Sequence, residues 1–298
     1  MLIENILREC DDRYMKHKKA QSPSQKCPAC SAPATCINNC EDCLSKIHSA
    51  QTPFERKYDC TNMADFYTCK YAYRYTSELI YAIQCALDLQ HKEELNVLSL
   101  GCGPCTDLFA IDYLRTNGHL TFQKLNYVGI DYSQDVWQNI HTDLRNSSPE
   151  NFSINFFYED TCSFITKLFD AKWIPDLIIF QYVFSDMQKH TGNENTSQFI
   201  EDFSTYCNNK LPQKSYIVLN DINLSISYNG GRDYFDKLYA RLKSCKVYRS
   251  HFHNDNKPRT YSYGEQLPDN TNLFNVNPLA FYNPFDTCAS AQMIIKKE

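Results

Sequence analysis

Apolar positions change their period near residue 93, and that change divides the chain. Ahead of it the recurrences are helical: Leu2, Ile6 and Leu7 predict an amphipathic opening helix over residues 2 to 19, with a polar, basic end. A linker-like AQSPSQ follows. From Cys27 to about Cys60 the chain is rich in Pro, Asn and Ser, with too few aliphatic residues to build a core of its own. Between Met63 and about Gln90, Phe66, Cys69, Tyr73, Ile80, Ile83 and Leu87 fall three, four or seven apart and predict a long helix. Its tyrosines, at 67, 71, 73, 75 and 81, are expected to surround much of its first half.

After HKEE the pattern becomes strand, turn and helix in alternation. NVLSL, LNYVGI, INFFY, DLIIF, SYIVL, KVYRSHF and SAQMII are the seven strand candidates. Leu108, Ile111 and Leu114 define a helix that Asn117-Gly118 can end, and Ser133 can cap another carrying Val136, Trp137, Ile140 and Leu144. Tyr234, Leu238 and Leu242 lie on a later one. DLIIF and SYIVL are continuous apolar runs, which suits strands buried on both faces of a largely parallel sheet. The expectation is an N-terminal helical module over 1–92 and an α/β domain over 93–298.

Composition narrows the class. The 298 residues are 43% hydrophobic and 14% aromatic with only 8 glycines, as in a globular protein. A net charge of -5 argues against a dominant electrostatic hold on nucleic acid, although a basic face can hide within an acidic total. No apolar run approaches a membrane span, and MLIENILRECDDRYMKHKK lacks the apolar block of a signal peptide. A cytoplasmic protein with no membrane partner is the expectation. The 15 cysteines are odd in number in a long chain, which disfavours a disulfide scaffold.

Chemistry enters at LSLGCGPCTDLF, residues 98 to 109, where an apolar run meets Gly101 and Gly103 and then a helix. Backbone N–H groups at a helix start let an anionic or polar ligand approach closely, and in open α/β sheets ligands sit beyond the carboxyl ends of the strands. A lone GxG is equally a tight structural turn. Two further strand candidates end in acids. Asp131, closing YVGID, can accept hydrogen bonds from a ribose diol, and Asp160, closing FFYED, from an exocyclic amine such as that of adenine; each can equally cap a helix or face solvent.

On VLSLGCGPCTD, YVGIDYS, FYEDT and PDLIIFQYVFSDM the sequence resembles the Rossmann-like (class I) S-adenosylmethionine-dependent methyltransferase family, over about residues 93 to 298. The resemblance implies a seven-stranded, doubly wound, mostly parallel sheet whose last strand, AQMIIKK, runs antiparallel. It implies S-adenosylmethionine contacts from Gly101, Cys102, Gly103 and Pro104 near the methionine part, Asp131 and Tyr132 near the ribose, Asp160 and Thr161 near the adenine, and Gln181 beside the fourth strand. Two departures stand out: Ser99 occupies the position two before the first glycine where the family commonly has an acid, with Asp107 available to compensate, and Cys105 stands in the third-glycine position. A nicotinamide fingerprint would need glycine at 106, where Thr106 stands.

Methyl transfer needs alignment more than a fixed catalytic residue. Asp186, with Ser185 beside it, is the nearest candidate base, and both are equally candidate helix-capping residues. FQYV does not match the tetrad of base-amino methyltransferases, and no cysteine nucleophile lies in that region. Tyr282 and Phe285 are expected either to line an acceptor pocket or to cover the sheet edge, and His251 and His253 to be solvated on a strand.

The cysteine-rich segment carries its own signal. Cys27-x2-Cys30 and Cys40-x2-Cys43 have the spacing of two thiolate knuckles around one tetrahedral zinc, which would also explain how this core-poor segment folds. An iron–sulfur cluster is the lesser alternative. Cys36, His48, Cys60 and Cys69 lie close enough to be alternative ligands or to build a second site, although Cys69, on a helix face, reads rather as core. Cys36-x3-Cys40-x2-Cys43 also has the spacing seen in radical S-adenosylmethionine enzymes, but no repeated barrel βα pattern follows it. The expected function is methyl transfer from S-adenosylmethionine to an unidentified acceptor. The alternative is a non-catalytic or cofactor-sensing binding protein on the same fold that uses the cysteine-rich module to recognise RNA or protein.

Overall fold

All seven apolar runs become strands of one sheet in the computed structural model, which describes residues 1–20, 39–48, 58–253, 262–267, 271–276 and 283–298. In chain order the elements are α1 (Leu2–Ala20), α2 (Cys40–His48), α3 (Thr61–Ile83), β1 (Glu94–Leu100), α4 (Thr106–Thr116), β2 (Lys124–Asp131), α5 (Gln134–Ser147) and β3 (Phe152–Tyr158). They continue with α6 (Thr161–Leu168), β4 (Leu177–Gln181), α7 (Val183–Lys210), β5 (Tyr216–Ile222), α8 (Asp233–Tyr239), β6 (Cys245–Phe252), β7 (Glu265–Leu267) and β8 (Ser290–Lys297).

The sheet runs β3-β2-β1-β4-β5-β8-β6-β7, with every neighbouring pair parallel except the two made by β8. The expected antiparallel last strand is therefore present, between β5 and β6. The expected count of seven strands is corrected to eight among the described residues. β7 is only three residues, Glu-Gln-Leu, paired alongside Ser250 to Phe252, and carries no apolar period that a sequence pattern can register.

Both faces of the central strands are covered, which is why they read as unbroken apolar runs. Leu95, Val97, Leu177, Ile179, Tyr216 and Val218 face one apolar cluster that they share with α1, α3, α4 and α5. Leu98, Leu100, Ile178, Phe180, Ile217 and Leu219 face the other, with α6, α7 and α8. The helices before β1 thus pack in the same apolar cluster as the strands. Arg13 ties them further, donating to both oxygens of Asp65 on α3, at 3.1 and 2.7 Å, and bonding Asp143 on α5.

The long helix stops earlier than its periodicity predicts. Tight bonds from Cys85 N to Ala82 O and from Ala86 N to Ile83 O close its last turn, and Leu87, assigned to the apolar face, is 65% exposed as the chain turns toward β1. Asn117 and Gly118 end α4 as expected, Gly118 at φ 75°. Ser133 stands at the start of α5 but makes no side-chain cap bond there.

Glu78, fully buried on α3, joins helix to sheet: its carboxylate accepts from Tyr182 OH at 2.8 Å, Asn220 Nδ2 at 3.0 Å and Ala289 N at 2.9 Å. Burial raises its pKa, and the cost of the charge is offset by those three donors. Replacing Glu78 by Ala strands all three and is expected to lower unfolding stability by about 3 kcal/mol, with Glu78→Gln losing clearly less. Equal urea midpoints for the two variants would contradict the acceptor role.

Candidate functional site

The turn after β1 is built from left-handed residues. Gly101 has φ 66° and Gly103 φ 46°, and Cys105, which precedes the first residue of α4, has φ 60°. A Cβ on Gly101 would come within 2.8 Å of Val183 Cγ2, so glycine is needed there for close approach as well as for conformation. Cys105 accepts the strained conformation as a small, fully buried stand-in for glycine.

Asp131 holds this turn to the end of β2. Its Oδ2 accepts from Gly103 N at 3.0 Å and its Oδ1 from Ser133 N at 2.9 Å, while Cys102 N donates to Ile130 O at 2.9 Å. Burial raises the Asp131 pKa against those two backbone donors. Gly129, one strand turn earlier, is required by crowding: a Cβ there would meet the Phe156 ring at 2.8 Å and Cys102 Sγ at 3.0 Å.

Beside the turn opens a cavity of about 1250 Å³ at the carboxyl ends of β1, β2 and β4. Gly101, Cys102, Gly103 and Pro104 line it, as do Asp131, Tyr132, Asp160, Thr161 and Gln181, so every residue the resemblance singles out reaches one space. Their local roles differ. Asp160 caps α6, accepting from Cys162 N at 2.9 Å and Ser163 N at 3.1 Å, so the capping reading of this acid holds alongside its place at the cavity. Gln181 is a strut, donating to Tyr75 O at 2.8 Å and accepting from Thr106 Oγ1. Tyr132 is 56% exposed at the rim.

Ser99 and Asp107 also line the cavity, with Asp107 accepting from Tyr127 OH at 3.0 Å and from Leu108 N at 2.9 Å. Burial, reinforced by negative charge at Cys105, pushes the Asp107 pKa up to about 7. Asp107 thus brings a carboxyl to the region that Ser99 leaves without one.

α3 supplies an aromatic wall. Tyr67, Tyr71 and Tyr75 recur every four residues on one helix face, with ring centroids 4.9 Å and then 5.1 Å apart, and Tyr75 stacks on Tyr182 at 4.2 Å. The other two tyrosines turn elsewhere: Tyr73 packs on Phe274 and Tyr81 on Phe252. Opposite, His48 Nε2 lies 3.1 Å from Tyr58 OH and Nδ1 3.3 Å from Tyr71 OH. Burial, with the charge of Lys189, lowers the His48 pKa to about 4, so its ring is neutral at physiological pH.

Other expectations resolve individually. Ser185 does not cap α7: it lies inside the first turn, buried, with its N–H bonded to Asp221 Oδ2 at 3.0 Å. Asp186 lines the cavity and sits 3.4 Å from His190 Nε2. Phe285 lines the cavity with Arg74 stacked 3.8 Å over its ring, whereas Tyr282 lies outside the described residues. The expectation of a solvated His251 is corrected: the segment leading into β7 covers it, and its Nδ1 lies 3.1 Å from Tyr263 O. His253 is exposed.

Of the cysteines, Cys27, Cys30 and Cys36 lie outside the described residues; Cys40 and Cys43 are buried one turn apart on α2. Cys69 is fully buried, as expected of a core residue. A different group comes together at the turn: Cys102, Cys105 and His141, with ligand-type atoms all within 4.8 Å of one another. His141, Glu78 and Asp221 carry polar chemistry that sequence reasoning missed. Glu78 and His141 each sit in an apolar stripe and give no spacing signal, while Asp221 follows the apolar run of β5.

No family model and no curated protein matches the chain. Among solved structures it is similar to the plantazolicin methyltransferase BpumL in complex with SAH, at 14% identity over 86% of this chain and 94% of that one, TM-score 0.43. It is similar to the O-methyltransferase TomG from Streptomyces achromogenes in complex with SAM, at 10% identity over 75% and 79%, TM-score 0.42. MnmC2 from Aquifex aeolicus is similar at 14% identity over 71% and 62%, TM-score 0.39. At these scores the likeness carries no weight on activity, and function rests on the geometry of the cavity.

Asp107 gives that geometry a pH signature. A carboxyl that keeps its proton up to about 7 when folded, but releases it near 4 when unfolded, favours the folded state most below pH 4. Its contribution falls as pH rises between those values and is flat above. Asp107→Asn is therefore expected to show a smaller loss of urea midpoint from pH 4 to 7 than the wild type; identical slopes would contradict the assignment.

Proposed function

We propose that this protein is a class I S-adenosylmethionine-dependent methyltransferase acting on an unidentified acceptor, with residues 93–298 forming the catalytic domain and 1–92 an N-terminal module. The observation that carries the proposal is the convergence of the glycine turn, Asp131, Asp160 and Gln181 on one cavity at the point where strand order reverses. The left-handed glycines, and the open side of Gly103, where a Cβ would meet nothing closer than the Trp137 ring at 3.8 Å, fit a ligand that must lie close to backbone. When bound, S-adenosylmethionine supplies an electrophilic methyl on a sulfonium.

The chain's own residues do the rest. Asp131, already positioned by two backbone donors, keeps lone pairs free for a ribose diol. The turn from Gly101 to Pro104 holds the methionine part, and Asp160 and Thr161 the adenine side. Tyr67, Tyr71 and Tyr75 shield the reacting centre from water and fix the acceptor against their faces. An acceptor that loses a proton has the neutral His48 and Asp186 on the same cavity wall to receive it.

The same proposal assigns one zinc to Cys27, Cys30, Cys40 and Cys43. Two thiols one turn apart at the start of α2 suit half of a tetrahedral donor set. Elemental analysis of the purified chain is expected to give one zinc, lost in a Cys40→Ser, Cys43→Ser variant. Iron in its place would favour the cluster, and neither metal would overturn the assignment.

For the cofactor, calorimetric titration with S-adenosylmethionine is expected to show saturable binding at one site, weakened about 100-fold by Gly103→Asp, which sets a second carboxylate beside Asp131. Binding without methyl transfer to any component of a cell extract would favour the non-catalytic alternative. No binding, or a Gly103→Asp variant equal to wild type, would overturn the proposal.

A further inference from the structure

Cys102 and Cys105 do more than shape the turn. They form a C-x2-C pair at the start of an eleven-residue helix, and Cys105 N donates to Cys102 O at 2.8 Å. That bond makes residues 102 to 105 a β-turn, which brings the two Cα atoms within about 7 Å, the range a disulfide spans. The two sulfurs already lie within 4.8 Å of each other. Cys102 lines the cavity, while Cys105 is fully buried behind it.

His141 completes the group, with Nε2 4.0 Å from Cys102 Sγ. That nitrogen also lies 2.7 Å from Gly103 O, and Nδ1 lies 2.9 Å from Tyr158 OH. Both ring nitrogens are therefore engaged, as suits an imidazolium and not a metal ligand. We propose that Cys102 and Cys105 are a dithiol–disulfide exchange site, reached through the cavity by small disulfides, with His141 as its proton relay.

The electrostatics agree. Burial opposes charge on Cys105, yet the hydrogen bond from Cys102 and the charge of His141 bring its thiol down to about 6, and His141 is raised chiefly by that thiolate against its own burial. In the proposed resting state Cys102, whose thiol is pushed up by burial and by Cys105 beside it, carries the proton, Cys105 is the thiolate and His141 the imidazolium. Cys102 attacks a disulfide RSSR′ from the cavity and passes its proton to Cys105; the S–S bond breaks, and RS⁻ leaves with the proton of His141. Cys105 then attacks Cys102 of the mixed disulfide, its proton moving through His141 to the departing R′S⁻. The protein is oxidised to the Cys102–Cys105 disulfide and RSSR′ is reduced to two thiols, with every proton accounted for. The chemistry needs no nucleoside, so it stands apart from the methyl-transfer reading.

The reduced full-length chain is exposed to 2-hydroxyethyl disulfide, quenched by alkylation and mapped by mass spectrometry. The peptide holding residues 102 and 105 is expected to lose two hydrogens about ten-fold faster than exposed Cys85 takes up a mixed disulfide. Cys105→Ser is expected to trap the mixed disulfide on Cys102, formed more slowly than in the wild type because no Cys105 thiolate takes the proton, and Cys102→Ser to leave Cys105 unmodified. Both wild-type thiols surviving after Cys85 has reacted would overturn the proposal. So would a zinc ion retained by the wild type and lost in both variants.

Discussion

The site depends on one topological constraint: β1 has β2 on one side and β4 on the other, so the chain leaves these strands toward opposite faces and a gap opens at their carboxyl ends. A gap of this kind exposes backbone N–H groups at the start of α4. Asp131 is the interaction that fixes its shape, because one carboxylate ties the Gly103 amide of the first turn to the Ser133 amide of the second. The ladder up to Leu100 and Ile130 and the bond from Cys102 N to Ile130 O already join the two strand ends, and Asp131 adds the turns that follow them. With it, they form one rigid rim.

Near that rim several buried carboxyl groups answer to backbone donors. Asp131 has two, Asp221 takes Ser185 N and Ile222 N, and Glu78 takes Ala289 N together with two side chains. Burial pushes all three up, Asp221 to about 6. Negative charge held this way on fixed dipoles orders loops that would otherwise lack apolar contacts. Gly231 belongs to the same device, since a Cβ there would come within 2.3 Å of the Asp221 carboxyl.

Much of this was legible in the residues, and the exceptions have physical causes. Strands β1 to β6 and β8 announce themselves because both of their faces are dry or alternate cleanly; β7 does not, because three polar-leaning residues are too few to show a period. The glycine turn and Asp131 were readable because glycine at positive φ and an acid at a strand end leave local marks. Glu78 and His141 left none, because their partners lie far away in sequence, Asn220 and Ala289 for Glu78 and Gly103 for His141, whereas Asp221 carries at the end of β5 the same mark as Asp131. The helical period overran at Leu87 because periodicity records which side chains are apolar, not where the chain must turn to enter a strand. His251 was misjudged because its cover comes from the 262–267 segment, which has no apolar signature.

The proposed function requires the cavity beside Gly101 and Gly103 to receive a nucleoside whose ribose rests on Asp131. A crystal structure of the protein with S-adenosylhomocysteine tests it most directly. The expected result is the ligand in this cavity with a ribose hydroxyl within hydrogen-bond distance of an Asp131 oxygen. Ligand density elsewhere on the molecule, or a ribose turned away from Asp131, would contradict it.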